Sequence, residues 1–356
     1  MIHSIYLKNF RNFPDILFSP PDGISILTGE NGTGKTSLLE GIYFASRFES
    51  FRTSDDRDMI REGTQGFFIR CECRSTVIEI GYNGSRKKVK KNGVFHRSYF
   101  PLIGEIPVVI FLPEDIFLVS GAPEIKRRFL DITMGIISYE YREVLKEYRQ
   151  ALKHRNNVIK KIREGIENRD DLNIWNRILS EKGSFLIQKR EEFINALLPI
   201  VREIFVRFSD RKIDLRYVNH SGIGEEYLKK LELNLDKELA AGYTLYGPHR
   251  DSIEILMDGV EASSYASYGY QRLIAFSLRI AETEIIKREK EQTPVVLVDE
   301  VINELDNRNR KIFLQVLENY PQTIVATVTS SFANFEKCSI FKLEKVNEAT
   351  EIGRIT

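Results

Sequence analysis

Apolar and polar positions alternate along IHSIYLKNF at the start of the chain, which predicts a strand with one buried face. GISILTG at 23–29 is a short apolar run ending in glycine, the pattern of a strand buried on both faces. SLLEGIYFAS at 37–46 then sets Leu38, Leu39, Ile42, Tyr43 and Ala45 at helical spacing. Alternation returns from FFIRCEC to KKNGVF, broken by turn residues at Tyr82-Asn83-Gly84-Ser85 and Asn92-Gly93, and predicts an antiparallel meander.

The period changes after residue 112. FLPEDIFLVSGAPEIKRRFLD carries two prolines and a glycine, and long helical patterns follow. Tyr141, Leu145, Tyr148, Leu152, Ile159 and Ile162 fall at alternating steps of four and three, or at their sum of seven, on one helix face. A second helical pattern runs from about Leu172 to Phe208, and the polar turn at 164–171 predicts that the two helices pack antiparallel. From 211 the chain reads as α/β again. KIDLRYV is a strand, EEYLKKLELNLDKELAAG a helix and TLYGPHRDSIEILMDG further strands. SYGYQRLIAFSLRIAETEIIKRE is a long helix, PVVLVDE a buried strand, RNRKIFLQVLEN a helix and TIVATVTS a last apolar strand. The expected organisation is a discontinuous α/β head from 1–112 and 211–356, with a helical arm lobe inserted at 113–210.

With 42% hydrophobic and 29% charged residues in 356, the chain is long and apolar enough to bury a sizeable core. Lys+Arg at 52 and Asp+Glu at 51 leave a net charge of +1, so any basic surface must be local. Three cysteines exclude a disulfide scaffold and suit a reducing cytoplasm. Cys71-x-Cys73 has no other Cys or His nearby, so it is a poor metal set and a better strand alternation. The opening MIHSIYLKNFRNF has no apolar h-region, and the longest apolar stretches, PVVIFL and PVVLV, are far short of the ~20 residues needed to span a bilayer. The expectation is a cytoplasmic chain without a membrane segment.

The strongest chemical signal is Gly29-Glu30-Asn31-Gly32-Thr33-Gly34-Lys35-Thr36, a full G-x-x-x-x-G-K-[ST] match between an apolar strand and a helix. Its glycines let backbone N–H groups wrap a phosphate, Lys35 reaches the terminal phosphates, and the Thr36 hydroxyl suits magnesium. The second signal is Asp299-Glu300 at the end of PVVLV. Asp299 suits magnesium and Glu300 suits polarising an attacking water, although exposed acids capping a core strand would look the same. The third is Ser267-Tyr268-Gly269-Tyr270-Gln271 before a long helix, either an anion site or an ordinary helix cap.

The order P-loop, S-x-G-x-Q, Asp299-Glu300 and Glu304-Leu305-Asp306 resembles ABC-type ATPase heads, and within that class the chain is similar to the RecF family. The resemblance covers nearly the whole chain. It rests also on Leu7-Lys8-Asn9-Phe10-Arg11-Asn12, Phe111-Leu112-Pro113-Glu114-Asp115, Arg127-Arg128-Phe129-Leu130-Asp131 and Gly247-Pro248-His249-Arg250-Asp251. It implies an α/β P-loop NTPase of ABC-ATPase-head type that binds ATP and Mg2+, with ATP joining two protomers so that each Ser267, with Gly269 and Gln271, completes the partner's site. It further implies a weak DNA-stimulated ATPase that clamps double-stranded and gapped DNA and works with RecR and RecO to load the recombinase RecA. By the same resemblance Arg11 looks like the residue that reaches the nucleotide phosphates or base from the first strand; its plainer reading is a surface arginine. Two departures stand out: family signatures usually read S-R-G-Q-Q, where this chain has Tyr268 and Tyr270, and the family strand usually ends Asp-Asp, where this chain has Asp299-Glu300. Many ABC proteins place a switch histidine at Thr327-Val328-Thr329-Ser330; here that role is unfilled or falls to Thr329. The GPHRD segment yields no chemistry and reads equally as a structural turn.

Two local basic clusters stand out. Residues 86–97 hold Arg86, Lys87, Lys88, Lys90, Lys91 and Arg97 with no acid. Residues 142–163 hold eight Lys/Arg against two Glu, with Lys146, Arg149, Lys153 and Lys160 on a strip away from the apolar stripe. Such strips track phosphates without reading bases, and they also occur as plain solvated faces. Three rivals share the head motifs: a transport ATPase subunit, a head within a nuclease or toxin–defence system, and a scaffold in which ATP is structural.

Overall fold

The computed structural model describes residues 1–328, 338–346 and 349–355. It opens with strands β1 (Ile2–Phe10), β2 (Phe13–Phe18) and β3 (Gly23–Thr28), then helix α1 (Lys35–Arg47). Strands β4 (Phe67–Cys73), β5 (Thr76–Tyr82), β6 (Lys87–Lys91), β7 (Val94–His96) and β8 (Val108–Phe111) follow. Helices α2 (Phe117–Ser120), α3 (Pro123–Ile137), α4 (Tyr139–Arg163) and α5 (Asn173–Phe208) come next, then β9 (Ile213–Val218). After α6 (Glu225–Leu233) and α7 (Leu235–Ala241) lie β10 (Ser252–Met257), β11 (Val260–Glu261), α8 (Ala262–Tyr265) and α9 (Tyr268–Lys290). The chain closes with β12 (Val295–Asp299), α10 (Asn307–Leu317), β13 (Gln322–Ala326), β14 (Cys338–Val346) and β15 (Ala349–Arg354).

By compactness the chain divides into Met1–Asp115 with Glu282–Thr356, and Ile116–Ala281. The first unit holds two six-stranded sheets. One is antiparallel in the order β2-β1-β4-β5-β6-β7, and the other runs β15-β14-β3-β13-β12-β8 with β14, β3, β13, β12 and β8 parallel. Helix α1 contacts strands of both sheets, which is why nearly all its residues are buried, the polar Ser37, Glu40 and Ser46 along with the apolar Leu38, Leu39, Ile42 and Phe44. The central parallel strands β12 and β13 are buried at every position, as strands covered on both faces are. Both Cys71 and Cys73 lie on β4 facing the core.

The second unit takes in 211–281 as well as the helices, a larger piece than the 113–210 lobe expected. The reason is packing: Ile213, Leu215, Ile253 and Ile255 give the sheet β11-β10-β9 an apolar face, and it is buried against α5 and α3. Helices α4 and α5 sit where their periodicities placed them, with Tyr141, Leu145, Tyr148 and Ile159 buried. Other expectations fail. The segment EEYLKKLELNLDKELAAG forms two helices, separated at Asn234, and the strand expected from Thr244 begins only at Ser252. The proline-bearing stretch after 112 already enters helix α3, which begins at Pro123, because proline stands in its first turn, where its missing N–H costs nothing. The strand at 322–326 is not the last, since β14 and β15 follow.

Candidate functional site

The first unit places the P-loop between β3 and α1, at the carboxyl ends of parallel strands, where open α/β sheets bind ligands. Gly29 and Gly34 have φ of +150 and +101. A Cβ on Gly29 would overlap the Leu343 carbonyl oxygen, and one on Gly34 would lie 2.6 Å from Asn12 Nδ2 and 2.7 Å from the Phe13 ring, so these two positions admit only glycine. Thr33 Oγ1 donates to Glu30 O at 2.9 Å and tightens the loop. Gly34 caps α1 in the left-handed conformation and, having no side chain, brings no capping group between the helix N-terminus and the cleft.

Lys35 is buried, and its Nζ donates to Gly29 O at 2.8 Å and Glu30 O at 3.0 Å, with Glu300 Oε1 at 3.9 Å. Burial pulls its pKa below the usual lysine range, while Glu300 and Asp299 pull it up. Thr36 Oγ1 donates to Asp299 Oδ1 at 3.0 Å. Burial raises the Asp299 carboxyl to about 6, against the Thr36 hydrogen bond, which lowers it, and with Glu300, which raises it further. A hydroxyl and a desolvated carboxylate in contact form an oxygen donor pair of the kind that magnesium shares with phosphates. That is a fit for the ion by donor chemistry. Among the described residues no three His, Cys, Asp or Glu gather as an all-protein metal cage.

Glu300 adopts a left-handed backbone conformation (φ 55), unusual for a non-glycine residue and a store of local strain. Its backbone N–H donates to Ala326 O at 3.0 Å, and Asn303 Nδ2 donates to Glu300 Oε2 at 3.2 Å and to Thr327 Oγ1 at 3.3 Å. The carboxylate is therefore aimed by the chain and by Asn303, a residue that the sequence reading passed over. Thr329 and Ser330 lie outside the described residues.

Arg11, Asn31, Gly32, Gly34, Lys35, Thr36 and Glu300 line one cleft of ≈ 1410 Å³. Arg11 is anchored within it: Nε and Nη2 donate to the two Glu40 oxygens at 2.8 and 2.6 Å, and Nη1 donates to Asp58 O at 2.7 Å. Glu40 is fully buried and also accepts from Ser50 Oγ at 2.5 Å and Arg52 Nη1 at 3.3 Å. The signal for this anchor was present in the sequence, since Glu40 is the one acid in the apolar helix SLLEGIYFAS.

The signature residues belong to the second unit. Ser267, Tyr268 and Gly269 are exposed at the start of the 23-residue helix α9. Ser267 Oγ accepts from Tyr270 N at 3.4 Å, as a helix cap does. Gln271 is turned inward, its Nε2 donating to Ala266 O at 3.0 Å and Ser263 O at 3.3 Å, so it braces the preceding turn. The Arg272 guanidinium lies 4.3 Å from the Tyr268 ring centroid.

The basic clusters divide by unit too. On β6 and the turn before it, Arg86 and Lys88 are exposed. Lys87 is instead turned inward, donating to Phe48 O at 2.7 Å, paired with Asp56 at 2.8 Å and set over the Tyr99 ring. On α4, Lys146, Lys153 and Lys160 are exposed, and so is Arg149, which donates to Asp131 Oδ2 at 2.9 Å. No helix among the described residues is long and apolar enough to cross a membrane.

The family model described as "AAA ATPase domain" matches residues 1–307. The DNA replication and repair protein RecF of Bacillus cytotoxicus is 34% identical, over 99% of this chain and 100% of its own. That of Staphylococcus carnosus is 31% identical over 98% of each. Among solved structures, the recombination mediator protein RecF-ATP of the RecFOR pathway superposes with a TM-score of 0.92 at 29% identity, covering 100% of this chain and 97% of its own. An SMC head bound to the C-winged helix domain of ScpA superposes with a TM-score of 0.60 at 16% identity, covering 100% of this chain and 98% of its own, and so shares the fold. On sequence along its whole length and on fold, this chain belongs to the RecF family of DNA replication and repair proteins, built on an ATPase head of the ABC/SMC type.

Proposed function

We propose that this chain is an ATP-gated DNA clamp of recombinational repair. The observation that supports it most is the meeting of Lys35, Thr36, Asp299 and Glu300 at one end of the parallel sheet. In this reading the P-loop N–H groups and Lys35 hold the ATP phosphates. Thr36 and Asp299 hold magnesium, which when bound neutralises phosphate charge. Glu300, fixed by its backbone and by Asn303, orients water for a slow hydrolysis. Arg11 lines the same cleft, and its two N–H groups not donated to Glu40 or Asp58 would serve the nucleotide.

The signature supports the second half of the reading. Ser267 and Gly269 are exposed at a helix N-terminus, so they are available to the γ-phosphate held by a second protomer. ATP would thus join two chains, and the closed homodimer would hold duplex DNA beside single-strand gaps until hydrolysis opens it. A solved relative is described as a recombination mediator in the RecFOR pathway, which supports RecR and RecO proteins as partners and recombinase loading as the outcome.

The test is binding of a gapped duplex with and without ATP and magnesium. The reading expects tight binding only with nucleotide, and its loss in Lys35→Ala. Equal binding under all these conditions would favour the scaffold in which ATP is structural.

A further inference from the structure

Two segments singled out in the sequence, RRFLD and GPHRD, take no part in the nucleotide cleft, yet they meet inside the second unit. Arg190 of α5 is only 3% exposed and donates to Pro248 O at 2.6 Å, to Asp131 Oδ1 at 2.7 Å and to Tyr141 OH at 3.0 Å. Arg127 Nη1 donates to Asp251 O at 2.7 Å. His249 Nε2 donates to Thr244 O at 3.2 Å and its Nδ1 accepts from Tyr148 OH at 2.6 Å, the pattern of a neutral imidazole. Beside these groups opens a cavity of ≈ 290 Å³.

Arg127, Arg128, Arg149 and Arg190 all line it, against only Glu124 and Asp131. Asp131 already accepts from Arg190, Arg149 and Tyr141. Four guanidiniums around one small space repel each other, and burial together with Arg190 pulls Arg127 below its ordinary pKa. Planar forks of this kind match the oxygens of a phosphate. Arg149 also belongs to the exposed strip of α4, with Lys146 one turn before it and Lys153 one turn after. At 1.5 Å per residue the strip from Lys146 to Lys160 extends about 21 Å, room for several backbone phosphates.

We propose that this arginine cavity seats one phosphate group of the DNA backbone and anchors a track that continues along α4. The proposal rests on the DNA-binding reading above and gives it a specific contact. The continuity of charge from cavity to helix favours nucleic acid over an acidic protein surface.

The experiment is fluorescence anisotropy of a labelled duplex on the full chain with ATP and magnesium, across a salt series. The variants are Arg127→Gln, Arg128→Gln and Arg128→Lys, each checked for ATP affinity and thermal unfolding. Expected are affinities about tenfold weaker for the Gln variants, a log–log salt slope shallower by about one, and a slope kept in Arg128→Lys. If wild type binds DNA and the Gln variants match it in affinity and slope, the cavity is not a DNA contact and only this proposal falls. If wild type binds no duplex at any salt, the clamp reading falls with it. If the variants lose only protection by inorganic phosphate, or only competition by polyglutamate, the cavity serves a free anion or an acidic partner, and the proposal is overturned.

Discussion

Thr36 Oγ1 donates to Asp299 Oδ1 at 3.0 Å although the two residues are 263 positions apart in the chain. They meet because β13 lies between β3 and β12, with Leu27 beside Ala326 and Ala326 beside Asp299. The crossover brings the residues that follow β3 and the end of β12 to the same edge of the sheet. If this pair holds magnesium, Thr36→Val and Asp299→Asn should each lower ATP hydrolysis by at least about tenfold. Nucleotide affinity measured by calorimetry in EDTA should stay near that of the wild type. An equal loss with and without the ion would mean that the pair shapes the loop and does not bind metal.

Glu300 has its backbone in the left-handed region and its carboxylate held by Asn303. Glu300→Gln should cut turnover by about 10²–10⁴-fold, with ATP affinity changed only a few-fold. Asn303→Ala should act in the same direction more weakly, because it loosens the aim of the carboxylate and leaves its charge. Single-turnover hydrolysis separates these effects from product release.

Arg155 is fully buried in α4 and pairs with the equally buried Glu238 at 2.6 Å. It also donates to Asn176 Oδ1 at 2.7 Å and Thr244 Oγ1 at 2.8 Å. Removing one partner leaves the other charge buried without compensation. Arg155→Leu should therefore destabilise the fold by about 3–5 kcal/mol in denaturant unfolding. Lys153→Gln, two residues away and exposed, should change stability by less than about 0.5 kcal/mol.

Burial lowers the His249 pKa from 6.5 to about 4. Between those values the unfolded chain binds the proton that the folded chain refuses. The stability at stake is fully present above about pH 6.5 and is lost as the pH falls to about 4, a span of about 3 kcal/mol. His249→Gln keeps one donor and one acceptor but does not titrate. Its stability should fall less steeply than that of the wild type over this window in thermal unfolding, and parallel curves would show that His249 is not the group responsible.

The head was legible where composition and chemistry coincide. The P-loop needs glycines at positions such as Gly29 and Gly34, where no Cβ fits, and β12 is apolar because both its faces are covered. Long-range placement was not legible. Arg155 falls on the apolar stripe of α4, yet its partner Glu238 is far along the chain and no local pattern announces it. Lys87 reads as part of a basic run, but neighbours from three other segments, Phe48, Asp56 and Tyr99, draw it inward. The extent of the second unit depended on a small sheet finding helices to cover it, a tertiary choice that periodicity does not encode.

In the proposed clamp, ATP joins two chains through Ser267. Light scattering of Glu300→Gln, with and without ATP and magnesium, tests it directly, with Ser267→Arg added in the same background. The expected result is a monomer that becomes a dimer only with nucleotide, and a Ser267→Arg protein that stays monomeric. A mass that ignores ATP would contradict it and leave the head as a scaffold or as one half of a mixed complex.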